Sequence, residues 1–280
     1  MRSRDDDLNP WVWGALPVAA ALGYVIVLLY DVELRIWSGA DFTMRGVDLL
    51  WLGGWLAAKG ELGILENVQV ALLAAVAGMA VWILRRPGPM PVRWLKRWVG
   101  VLLVGCLYVL GEEISWGQHY LGWTTPEWYE RWNYQGETNL HNLHSGWMVF
   151  KPKGALEYAI IFAALLRPAW RSMRRTAGLG ATGAREWIWP THAGSVAALM
   201  LLVTALVKRV DKGLNLELVR ASGLDYGELR EFLIYGFVAI YLWSLARRLV
   251  RWQAADRGTP GAKPGSGREA GELSVPAAAG

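Results

Sequence analysis

The string GEEISWGQH at 111–119 interrupts an apolar run with two adjacent carboxylates, Glu112 and Glu113, followed by Ser115 and His119. A second polar string, NYQGETNLHNLH at 133–144, supplies Glu137, His141 and His144. Carboxylates in such company serve as general bases or cation ligands, and imidazoles as metal ligands or proton carriers. Ionisable groups at membrane depth are costly and face a bundle interior or a water-filled cavity, so they are functional candidates by default. Spacing adds to this. If the helix entering the first string continues, Glu112, Ser115 and His119 stand at i, i+3 and i+7 on one face, and Glu137, His141 and His144 at i, i+4 and i+7 share a face of a short helix after Gly136.

Two Glu/His faces a loop apart resemble the way helical bundles assemble metal sites, although the Glu-x-x-His interval of di-iron sites and a His-Glu-x-x-His string are both absent. Imidazole suits zinc, iron or copper, and a mixed His/carboxylate set with an open position suits metal-assisted hydrolysis or oxidation. The expectation is a divalent metal, zinc or iron, on Glu137, His141, His144 and His119, with Glu112, Glu113 and Ser115 as catalytic candidates. Two other uses stand beside it. The same groups, with Asn133, Gln135, Asn139 and Asn142, can satisfy one another as a hydrogen-bonded plug, or the carboxylates can carry protons or cations. An anion at a helix C-terminus is disfavoured, so Glu112 and Glu113 call for something cationic or protonated nearby.

The elements that must position these strings read as membrane helices. The 280 residues are 54% hydrophobic, in long blocks rather than short amphipathic periods. A helix of roughly 20 apolar residues spans the hydrocarbon, and six segments qualify: 11–30, 64–84, 95–114, 154–170, 187–207 and 229–249. Basic residues cluster at 85–98, at 167–186 and in Arg247, Arg248 and Arg251, which places those loops and both termini in the cytoplasm and the loops 31–63 and 117–153 outside. The loop 208–228, with Lys208, Arg209, Lys212 and Arg220, runs against that rule. In this arrangement Glu61, Glu66, Glu112, Glu113, Glu157, Glu228 and Glu231 gather at one periplasmic rim, beneath the second string.

The formal charge of +5 is accounted for by the cytoplasmic loops, and no basic run interleaved with aromatics suggests nucleic-acid binding. Cys106 is the single cysteine, which excludes an intrachain disulfide. The N-terminus leads into a full-length apolar segment and reads as an uncleaved anchor. Most of the 18 tryptophans flank the spans and suit interfacial anchoring. Trp116, Trp123, Trp128 and Trp132 lie within or between the strings, where an aromatic wall could hold an apolar ligand. The domain division is 1–252 as the membrane domain and 253–280 as a disordered cytoplasmic tail, poor in anything that could form a core.

GEEISWGQHYLGWTTPEW and NYQGETNLHNLH resemble the signature of a family of bacterial multi-pass membrane proteins of unknown function, in which a Glu-Glu-Ile-Ser-Trp-Gly-Gln string precedes a Gln-Gly-Glu-x-Asn-Leu-His-Asn string. GELGILENVQ (60–69) and ELREFLIY (228–235) are similar to less specific family segments. The resemblance implies a fold and a site and brings no activity with it; the family often has Arg at the position of His119, which weakens that residue as a ligand. A carboxylate–Ser–His string is also distantly analogous to intramembrane hydrolases of the ceramidase and adiponectin-receptor type, but the closing His-x-x-x-His of their last span is missing. The expected protein is therefore an all-α, polytopic helix bundle of about six spans in the bacterial inner membrane, with a polar periplasmic loop folded over one end. Its expected function is metal-dependent hydrolysis of a lipid or other apolar substrate, or else a non-enzymatic role as a partner subunit or small proton- or cation-coupled transporter.

Overall fold

A computed structural model describes residues 8–9, 14–23, 64–133, 136–140, 152–168, 187–215 and 226–257. All regular structure among them is helical. In chain order the helices are α1 (Gly14–Gly23), α2 (Ile64–Arg85), α3 (Leu95–Glu113), α4 (Gln118–Leu121), α5 (Glu127–Glu130), α6 (Pro152–Ile161), α7 (Ser195–Leu214) and α8 (Tyr226–Arg257). Helix α6 widens into a π-helical stretch over Phe162–Leu166. Three helical stretches, Asn67–Arg85, His192–Leu214 and Leu229–Arg257, are long and apolar enough to cross a membrane. Helix α3 has a comparable 19 residues but carries Lys96 and Arg97 at its start and Glu112 and Glu113 at its end.

The elements begin and stop for local reasons. Helix α2 ends at Arg85 because Pro87, Gly88 and Pro89 follow, and Gly88 takes a left-handed φ of 102°. The segment expected to start a span at 187 instead passes Pro190, and Thr191 caps the following 3-10 turn by accepting from the Ala193 amide. Helix α7 therefore starts at Ser195 and runs on to Leu214, where Asn215 in the left-handed region stops it. Helix α8 has 32 residues, a length of about 48 Å. It runs five residues into the segment expected as tail, to Arg257, and the reason is a buried polar clamp: the Gln253 amide accepts from Arg86 Nε at 2.7 Å and donates to the Pro87 and Pro89 carbonyls at 3.2 and 3.0 Å.

Helix α8 is the centre of the assembly, packed against α2, α7 and α6, while α3 lies along α2. Its buried Leu242, Leu245 and Leu249 recur at helical spacing, as do Leu73, Val76, Ala80 and Ile83 of α2 and Ala197, Ala198 and Leu201 of α7. The small residues let backbones approach, which is how helices associate where lipid removes the hydrophobic driving force. Polar ties fix the register: Trp98 Nε1 donates to the Tyr241 hydroxyl at 2.8 Å, which donates to the Ile188 carbonyl at 2.7 Å. Away from this core, Val101, Val104, Leu107 and Tyr108 leave an exposed apolar stripe along α3.

Candidate functional site

Helix α3 does not continue through the first string. Ser115, Trp116 and Gly117 take φ values of 44°, 56° and 101°, so the backbone turns back on itself directly after Ile114. The expected common face of Glu112, Ser115 and His119 is therefore not formed by a continuous helix. Left-handed backbone costs an L-residue free energy and persists only where surrounding contacts fix it. Here the contact is the Trp116 ring, folded back over α3 so closely that a Cβ on Gly111 would lie 2.9 Å from it. The indole N–H of Trp116 donates to Glu112 Oε1 at 2.8 Å.

The second string also departs from the expected helix. Gly136 has a φ of 68°, and residues 137–140 are not helical. Their side chains instead alternate, with Glu137 and Asn139 directed at Ser115 and Thr138 at Gln118. Ser115 Oγ donates to Glu137 Oε2 at 2.9 Å, and Asn139 Nδ2 donates to Ser115 Oγ at 3.1 Å and to Glu137 Oε2. The Leu140 amide donates to Glu112 Oε2 at 2.8 Å, so one carboxylate holds both strings. Thr138 is fixed by its amide and hydroxyl, both 2.7 Å from Gln118 Oε1. Behind them the Tyr129 hydroxyl and Asn133 Nδ2 donate to the Asn139 carbonyl at 2.6 and 2.9 Å. Ser115 and Asn139 are each 1% exposed, Glu112 4% and Glu137 7%.

Ser115 and Glu137 thus meet directly, while Glu112 ties the same two strings through Trp116 and the Leu140 amide. Glu113 does not join them: one helical step turns it toward α8, where the Tyr235 hydroxyl donates to it at 2.6 Å. Glu157 is also held apart, in an ion pair with Arg230 of α8. The donors just named to Glu112 and Glu113 are neutral N–H and O–H groups. Burial first, then the Glu112 charge and then Tyr108, raise the Tyr129 phenol above its ordinary value. His141, His144, Glu61, Gln135 and Asn142 lie outside the described residues, as do the side chains of His119, Glu66 and Glu228. Among the described residues no three His, Cys, Asp or Glu side chains converge as a metal site. Sequence reasoning missed Gln118, Thr138, Tyr129 and Tyr235. Gln118 and Thr138 stand inside the polar strings, a signal available in the sequence, whereas nothing local marks the two tyrosines.

Comparison with protein-family models, curated proteins and solved structures finds no match for this chain. The site's chemistry consequently rests on its own geometry. A buried hydroxyl donates to a carboxylate while an amide donates to both, an arrangement that can take a proton from serine and hold the resulting pair in place.

Proposed function

We propose that this chain is a multi-pass enzyme of the bacterial inner membrane, with about six spans and both termini cytoplasmic, that hydrolyses a lipid or other apolar substrate at the periplasmic end of the bundle. The observation that carries the reading is the buried Ser115–Glu137 hydrogen bond of 2.9 Å at a serine with left-handed backbone. Strained backbone concentrates at functional sites, and a hydroxyl on a carboxylate is the start of nucleophilic or general-base catalysis. Ser115 Oγ attacks the acyl carbon while its proton passes to Glu137, with Asn139 orienting both; the acyl–oxygen bond breaks as Glu137 returns the proton to the departing alcohol, and water, deprotonated by Glu137, then cleaves the acyl-serine to release the acid and restore Ser115. In the metal-assisted version Glu137, His141 and His144 would hold a divalent ion, which would supply an activated water in place of the serine nucleophile.

The test is a lipophilic fluorophosphonate applied to the purified full-length protein, followed by peptide mapping. The adduct belongs on Ser115, is absent in Ser115→Ala, and forms about 100-fold more slowly in Glu137→Gln. Folded protein that stays unlabelled overturns the serine as nucleophile. Zinc or iron measured on the same sample, stoichiometric and lost in His141→Ala, assigns the metal-assisted version. A second reading is favoured by the way Glu112 ties the strings, one oxygen accepting from Trp116 and the other from Leu140: the strings form a latch over the bundle of a non-enzymatic membrane component, either a partner subunit or a small proton- or cation-coupled transporter. Unlabelled, metal-free and stable protein supports that reading.

A further inference from the structure

Between the two halves of the site the chain exposes a dense set of large side chains: Trp116, Tyr120, Leu121, Trp123, Trp128 and Trp132. An aromatic wall holding a ligand would turn these rings inward. They do the opposite, with Leu121 75% exposed, Trp128 69% and Trp132 60%. Several anchor only a polar tip. Trp116 and Trp123 direct their indole N–H groups to Glu112 and Thr138, and Tyr120 donates its hydroxyl to Asn67 Oδ1 at 3.2 Å.

Three observations identify what covers this surface. The Asn67 contact pins α4 beside the first residue of the apolar stretch Asn67–Arg85, at the depth where that span begins. The exposed stripe of α3 leads into the segment without a break, because Tyr108 meets the Trp116 ring edge to face at 6.1 Å. The turn 127–133 is also two-sided: Trp128 and Trp132, four residues apart, share one side of a helical turn, while Glu130 lies opposite. Rings with an apolar body and one polar tip, level with the end of a span, suit the headgroup region of a bilayer.

We propose that residues 116–132 form an interfacial collar, partitioned into the headgroup–acyl boundary beside α3, so that the Ser115–Glu137 site stands behind lipid rather than open water. The collar is independent of catalysis and holds equally for a latch.

The test uses the full chain in vesicles of phosphatidylcholine and phosphatidylglycerol, in a Cys106→Ser background. Cysteines introduced singly at Leu121, Trp128, Trp132 and Glu130 carry a nitroxide, and relaxation by oxygen is compared with relaxation by a water-soluble nickel chelate. Labels at 121, 128 and 132 are expected to collide more with oxygen than with the chelate, and the label at 130 the reverse. Equal chelate access at all four positions overturns the collar, as does shielding of 121, 128 and 132 from both reagents, which marks a bound ligand or protein partner instead. Photoactivatable phospholipid applied to the unsubstituted chain gives a second readout. Its adducts should map within 116–132, and their confinement to the spanning helices contradicts the proposal.

Discussion

Glu112 is a carboxylate whose two oxygens have different work, one accepting from Trp116 and the other from the Leu140 amide. Glutamine keeps the shape but presents an NH2 to one of those donors. Glu112→Gln is therefore expected to destabilise the protein by about 1–3 kcal/mol, the cost of an unsatisfied buried group, measured by denaturant unfolding in detergent; an unchanged midpoint contradicts the double role. From the sequence alone the same substitution reads as neutral or stabilising through relief of charge repulsion, because the neutral donors are invisible there. Tyr129 gives a pH-dependent counterpart. With its folded value raised above 10.0, its contribution is complete below that pH and is lost as pH rises through the folded value. Tyr129→Phe should cost about 0.5–1.5 kcal/mol at neutral pH and flatten the alkaline decline; parallel curves for the two proteins would remove Tyr129 from the network.

At the scale of elements, helix α2 and the limits of α3 were legible because apolar blocks there end at charges, prolines and glycines that stop helices for local reasons. The entry to α7 was not, since Trp187–Pro190 is apolar enough to pass for helix, and only Pro190 and the Thr191 cap move the start to Ser195. The turn at 115–117 was least legible: Ser and Trp have no preference for left-handed backbone, and tertiary contacts impose it. Close helix packing makes a further prediction. A Cβ on Gly194 would lie 2.6 Å from the Phe237 ring, whereas one on Gly78 meets nothing within 4 Å. Gly194→Ala should destabilise by about 1–3 kcal/mol through overpacking, and Gly78→Ala should be neutral or stabilising by up to about 1 kcal/mol through helix propensity. Equal effects in thermal unfolding would contradict the packing of α7 on α8.

At the scale of the whole molecule, the three helices among the described residues that are long and apolar enough to cross a membrane point to a membrane protein, and the proposed orientation has a direct test. A cysteine introduced at Glu130, the water-facing side of the turn, without Cys106 should react with impermeant thiol reagents from the periplasmic side; labelling only after the cytoplasmic face is opened inverts the bundle. That the two polar strings meet was inferable from shared depth, but the partners were not, because the contacts depend on a broken helix at 115 and a non-helical run at 137. The central claim is that these strings close into one buried site through Ser115 and Glu137. A double-mutant cycle with Ser115→Ala and Glu137→Gln, read by unfolding in detergent, measures that contact most directly. A hydrogen bond to a charged group predicts a coupling of about 1.5–3 kcal/mol, with the second substitution costing little once the first is made. Effects additive to within about 0.5 kcal/mol would mean that the strings act separately.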